Sequence, residues 1–414
     1  MRDKCVTFDL LKAFIALYLI LFSEVCFSQT TDSTLNGEKT YHRAYSLLYA
    51  IKYDVLNSTE NIRTGLKMYS DVYHKLLEPH IKNEIVRNIT SFTWIFLGKW
   101  FSLLWPHEFG HVLRTNQVGG TFSFVRMQFP GIISNLELPN NATFEDKILA
   151  VNGGFEANFV ISRDIQSDFF RYNGLWNDEY GIAFGNRITY SLYTYLFAFQ
   201  NPKDRRTWEL EEGDPVNFTK LVWEKGGREV FNSDGTVNED LVNFYNYAGV
   251  LSVLWNLVDI NFYKQVVAFF GNQLEGQNPF WLGSETFAWS YGTLFNASVL
   301  GAELYFYNYL KTGKHIFNVY LKYGFPFRNY GLGITAPDIH IFEKFVLTPQ
   351  IDLWSQDYYG NGLALTSNFG FNIFDRLDVI GQIGFKTKGY LAGKIIGEGI
   401  FGYLGLKYNL YSER

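Results

Sequence analysis

Cysteine is almost missing from this sequence: 414 residues carry 2, Cys5 and Cys26, and none follows. That excludes thiolate catalysis, cysteine-ligated zinc and a disulfide scaffold for everything beyond the first segment. Charge is also sparse. Asp, Glu, Lys and Arg make up 19% of residues, below the roughly 25% of an ordinary soluble domain. The net charge is -5, so no basic field is present to hold nucleic acid. The 37 glycines follow no fixed period, which removes a collagen-like reading. Aromatics are what the chain has in excess, at 19%, with 28 Tyr, 39 Phe and 10 Trp. So much aromatic surface excludes a disordered chain. A protein whose surface must accommodate it suits a bilayer interface.

The opening has the layout of a secretory signal: Arg2 and Lys4, Leu10 and Leu11, an apolar run from Ala13 to Phe22, then Cys26-Phe27-Ser28 before the polar stretch from Gln29. The run falls short of the ~18 or more apolar residues of a spanning helix. We therefore expect residues 1–28 to be a cleaved signal. Both cysteines lie within it, so the mature chain would have none.

Residues 29–283 read as mainly helical. Tyr45 to Leu56 and Ile62 to Leu77 have three- and four-residue apolar spacing, and Phe92 to Trp105 is apolar all round, as in a buried helix. Leu241 to Phe270 contains a similar segment. Between them, Asn201 to Asn238 is rich in charge and glycine and reads as a surface loop. From residue 284 to 414 the period becomes two. Phe317, Val319, Leu321 and Tyr323 alternate with Asn318, Tyr320, Lys322 and Gly324; Leu404, Leu406 and Tyr408 alternate with Gly405, Lys407 and Asn409. Alternating segments of about ten residues joined by short turns are the pattern of a transmembrane β-barrel. The expected fold is thus α+β, a helical region followed by an antiparallel transmembrane barrel, with upstream residues free to add strands. Thr121 to Phe129 alternates well enough for that.

The most specific motif is Pro106-His107-Glu108-Phe109-Gly110-His111. In H-E-x-x-H two imidazoles four residues apart share one helix face and reach one metal, while the adjacent Glu can deprotonate a water. With 7 His and 41 acidic residues in the chain, chance would produce such a match about once in a hundred such sequences. Glu108 in so apolar a segment would be a costly unpaired charge without a metal or partner.

His107, Glu108, Gly110 and His111 resemble the active-site helix of zinc metallopeptidases with the H-E-x-G-H variant. Arg114 and Gln117 stand where the metzincin pattern needs Gly and His, so the third ligand must come from elsewhere. Glu156, in Asn152-Gly153-Gly154-Phe155-Glu156-Ala157-Asn158, is similar to the Glu that completes a gluzincin site, and Thr143 with Asp146 resembles the cap of its helix. Two alternatives stay open: Glu137, in Leu136-Glu137-Leu138-Pro139, and Asp259, which loosely resembles the aspartate ligand of intramembrane site-2 proteases. The resemblance implies a Zn2+ metalloendopeptidase with Glu108 as catalytic base. It would sit in the bacterial outer membrane, in contact with its lipid, with its N-terminal region periplasmic or inside the barrel. Its substrate would be a peptide or protein, in quality control or maturation of outer-membrane proteins beside the barrel-assembly machinery. Two other readings remain: a catalytically inactive barrel scaffold or pore subunit, and a site-2-type protease.

Overall fold

A computed structural model describes residues 41–50, 55–128, 131–197, 201–210, 213–271 and 275–411; the expected signal, residues 1–28, lies outside them. In chain order the elements are β1 (Arg43–Ala50), α1 (Val55–Val72), α2 (Glu84–Gln117), β2 (Thr121–Gln128), β3 (Gly131–Glu137), α3 (Phe144–Arg171), β4 (Leu175–Trp176), α4 (Asn177–Leu192), α5 (Arg205–Glu209), α6 (Asp214–Lys225), α7 (Glu239–Val258) and α8 (Phe262–Phe270). Strands follow: β5 (Gly276–Gln277), β6 (Leu282–Gly283), β7 (Phe287–Ser298), β8 (Gly301–Thr312), β9 (His315–Pro326), β10 (Asn329–Thr335), β11 (Ile339–Phe342), β12 (Phe345–Gln356), β13 (Gly360–Phe374), β14 (Leu377–Lys386) and β15 (Gly399–Tyr411).

The fold is α+β, built on an 11-stranded antiparallel sheet. Its path runs β6-β7-β8-β9-β10-β12-β13-β14-β15-β1, with β11 beside β12. Among the described residues no pairing joins β1 to β6, so the sheet is open rather than closed on itself. Two sequence expectations are corrected here. Arg43–Ala50, expected as helix, is the upstream strand that extends the sheet, through its register with β15. Thr121–Gln128 instead pairs only with β3 in a separate hairpin. Pairing to a long strand rather than local periodicity decides the first, while the alternation of the second does mark a strand, with a different partner.

The alternation seen in sequence sorts the two sheet faces. On β9, Phe317, Leu321 and Tyr323 are exposed while Tyr320, Lys322 and Gly324 are buried. The inner face covers α3, whose residues from Ile148 to Ser162 are all buried. A capping box between Thr143 and Asp146 starts this helix. Phe159 lies against Tyr305 at 4.7 Å between ring centroids, and Phe170 stacks on Tyr309 at 3.7 Å. Each fully buried Phe of this kind contributes about 2 kcal/mol. Helices α2, α4 and α6 pack on the remaining sides of α3. Among the described residues no helix is long and apolar enough to cross a membrane on its own.

Candidate metal centre

Helix α2 starts at Asn83, whose side chain accepts from the Val86 N–H at 3.1 Å. Pro106 lies inside it, directly before His107. Proline has no N–H, so the Ser102 carbonyl loses its helical partner. Asn186 Nδ2 of α4 donates to that carbonyl at 3.0 Å, and Asn158 Nδ2 of α3 donates to the next one, Leu103, at 3.1 Å. Thus the proline that interrupts the helix also gives two neighbouring helices a grip on the turn carrying the motif.

At the crossing of α2 and α3, Gly110 and Gly153 face each other so closely that a Cβ on either would overlap the other's carbonyl. A Cβ on Gly154 would strike the His107 ring. This is the close approach that the glycines around the two motifs suggest. It leaves His107 completely buried, with His111 and Glu108 nearly so.

His107 Nε2, His111 Nε2 and Asp214 Oδ2 converge. Asp214 Oδ2 lies 2.8 Å from His107 Nε2 and 3.3 Å from His111 Nε2, and the two imidazole nitrogens are 3.2 Å apart. Three donors around one tetrahedral zinc, each about 2.0–2.1 Å from it, stand roughly 3.3 Å from one another. The cluster has that spacing and is suited to hold a metal ion. The outer ring nitrogens are anchored: His107 Nδ1 to Asn158 Oδ1 at 2.9 Å, and His111 Nδ1 to the Ala150 carbonyl at 2.8 Å. Those contacts fix both rings and turn both Nε2 atoms toward the cluster.

Asp214 opens α6, following Gly213 at φ 93°. The free N–H groups of a helix start favour a carboxylate there. Burial works against its charge, but the imidazoles of His111 and His107 override it and hold Asp214 well below the usual carboxylate range. The chain segment expected to be a surface loop therefore supplies the third donor. Gly213-Asp214-Pro215 followed by buried Val216, Thr219, Val222 and Trp223 was the available signal, a proline-started helix with one apolar face.

The other acidic residues singled out in the sequence lie elsewhere. Glu156 is fully buried and faces Arg114, which donates through Nε to Oε2 at 2.6 Å. Asp259 is paired with Arg187 at 2.7 Å beside β7. Glu137 sits exposed on β3 near Thr121. Glu108 borders the cluster, with Ser134 of β3 as a hydrogen-bonding neighbour, and its Oε2 is buried with no partner among the described residues. Tyr193, in the turn Tyr193–Phe197, stacks on His107 with centroids 4.8 Å apart. Burial, with Asp214 and Glu108 adding to it, pushes its hydroxyl well above the usual tyrosine value. Among 28 tyrosines, nothing in the sequence marked this one.

A separate, partly open cavity of about 650 Å³ lies along the later part of α3, lined by residues such as Arg63, Arg163, Asp168, Tyr307 and Asp352. None of His107, Glu108, His111 or Asp214 borders it. Comparison with known protein families, with characterised proteins and with solved structures finds no match to this chain.

Exchange of Asp214 for Asn should remove most of the bound metal while leaving the fold intact, because the side chain is partly exposed. Metal analysis of the purified variant checks this; full retention would return Glu156 to consideration. Metal binding should also weaken as the medium is acidified. Protons compete for the imidazoles, whereas Asp214 stays ionised through that range. Equilibration against a chelator between about pH 8 and about pH 5 should release the metal steadily on the acid side. A flat profile would show that the imidazoles are not ligands.

Proposed function

We propose that this chain is a metal-dependent peptidase, with zinc as the metal, anchored in the bacterial outer membrane by its sheet. One observation carries the reading: two imidazoles and a carboxylate meet at metal-ligand spacing beside a buried glutamate, one oxygen of which has no partner among the described residues. His107, His111 and Asp214 would hold the ion. A bound zinc supplies Lewis acidity toward water and a scissile carbonyl. Glu108 takes the proton of the attacking water and delivers it to the leaving amine. Tyr193, stacked on His107 and kept protonated by its surroundings, would be the candidate donor to a developing oxyanion. Asn158 and the Ala150 carbonyl keep both imidazoles oriented.

Substrate access is supported by the β2–β3 hairpin. It packs on α2 next to Glu108, and its outer edges are unpaired among the described residues. An unpaired edge is a template for an extended peptide. The outward apolar face of the large sheet supports the membrane setting, and unfolded outer-membrane proteins near the assembly machinery are the natural clients. The aspartate donor departs from the gluzincin arrangement and agrees in residue type with the site-2 proteases. This leaves a peptidase related to those in chemistry as the second reading.

The test is the protein purified in detergent without added metal. We expect about one zinc per chain, and cleavage of an unfolded polypeptide that is lost on chelation and regained with zinc. A chain that takes up no zinc would instead be the scaffold, with a motif that no longer works.

A further inference from the structure

An open sheet in a bilayer faces a physical difficulty. Strand edges carry unpaired N–H and C=O groups, and in hydrocarbon each would cost several kcal/mol. Both ends of this sheet solve it with helix side chains. On β1 the edge residues facing away from β15 include Ser46 and Leu48. Thr64 Oγ1 accepts from the Ser46 N–H at 2.9 Å and donates to its carbonyl at 2.8 Å. Asn61 Oδ1 accepts from the Leu48 N–H at 2.8 Å, and its Nδ2 donates to the Leu48 carbonyl at 3.0 Å. Two side chains of α1, one turn apart, thus reproduce the bonds of a missing neighbour strand.

At the other end, β6 covers only Ala288 and Trp289 of β7. Further along, the Thr293 N–H donates to Asp259 Oδ2 at 3.2 Å and its carbonyl accepts from Arg187 Nη2. The Ala297 carbonyl accepts from Asn152 Nδ2. The buried Arg187–Asp259 pair therefore has a structural task, as the cap of a strand edge.

The surface between the two edges is helical, and its outer side resembles the sheet's. Along α2, Ile85, Ile89, Phe92, Leu97, Trp105 and Phe109 are exposed; at about 100° per residue they form a strip that winds around the helix, with Trp105 and Phe109 on the side opposite His107. From Asn88 to Gln117 every charged side chain of this helix, Lys99, Glu108 and Arg114, is buried, as are both histidines. Lys99 is turned inward, donating to the carbonyls of Ala268, Phe269 and Gly271. Helix α7 adds exposed Tyr247, Leu254 and Val258. The polar inner side of α2 explains why its mean hydropathy falls short of a free-standing span.

We propose that bilayer hydrocarbon contacts the outward faces of α2 and α7 as directly as it does the sheet, so that one lipid-facing wall consists of strands completed by helices. The peptidase motif would then lie on the inner side of a lipid-facing helix. This rests on the membrane setting proposed above. The two native cysteines are Cys5 and Cys26, so with both replaced by Ser each added cysteine carries the one spin label of its variant. Ile89→Cys, Phe92→Cys and Leu254→Cys report the helices, Leu321→Cys and Leu404→Cys the sheet, and Glu285→Cys an aqueous turn. In phosphatidylcholine vesicles, collision with oxygen should exceed collision with a water-soluble nickel chelate several-fold at the helix positions, as at Leu321 and Leu404. Helix positions that read as aqueous, or as shielded from both, while the sheet reads as lipid-exposed, would overturn the helical wall and leave the membrane setting intact. Aqueous signals at Leu321 and Leu404 would overturn both.

Discussion

Glu108→Gln is expected to retain zinc and to lose hydrolysis by about a thousandfold, the scale on which a positioned general base contributes. The side chain borders the cluster without belonging to it: the converging atoms are His107 Nε2, His111 Nε2 and Asp214 Oδ2. The amide is nearly isosteric with the carboxylate, so Ser134 and the packing around α2 are preserved. What disappears is a base for the water proton. Metal content and cleavage must be measured on the same preparation, because their separation is the informative result. Zinc lost together with activity would make Glu108 a ligand or a structural support. Zinc and activity both retained would remove the peptidase reading. An Asp replacement offers a graded control, keeping the charge but drawing it back by one methylene.

The parts of this molecule legible in its sequence are those written in short-range pattern. The period of two in β9 and β15 predicts which residues face outward, because successive strand side chains alternate whatever surrounds them. Gly110 and Gly153 mark a close crossing for an equally local reason, since only a missing Cβ permits it. His107 and His111 needed nothing but helical spacing. The third donor was a different problem. Asp214 lies 103 residues beyond His111, as the separation of their hydrogen-bonded pair shows, and only tertiary folding joins them. Glu156 looked suitable because it lies on the helix that touches the motif. It does lie there, but its position on α3 faces one turn past the imidazoles, toward Arg114. The lone Arg114 after the motif was the unread sign, because a buried guanidinium needs a carboxylate of its own. The open ends of the sheet were illegible for a related reason. Asn61 and Thr64 look like ordinary polar helix residues until the β1 backbone lies beside them.

The Arg114–Glu156 pair makes the second large prediction. Both side chains are essentially inaccessible. Arg114 bonds Glu156 through Nε and Nη2 and also donates to the Lys394 carbonyl at 3.0 Å; Glu156 Oε1 accepts from the Gly393 N–H at 2.7 Å. The loop between β14 and β15 is thereby fastened to the histidine-bearing helix α2 and to α3, which packs against it. Removing one partner leaves the other buried without its counter-charge. Arg114→Met or Glu156→Met alone should therefore destabilise the fold by about 3–5 kcal/mol. The double variant should recover most of that, since two apolar side chains of similar length refill the space and no charge is stranded. Urea unfolding in detergent of both single variants and the double variant checks this. The double variant also decides the role of Glu156. If the pair only fastens helices and loop together, the refolded double variant binds zinc as the parent does, through His107, His111 and Asp214. If Glu156 leaves Arg114 to ligate the ion, stability returns without zinc, and Glu156 belongs to the donor set.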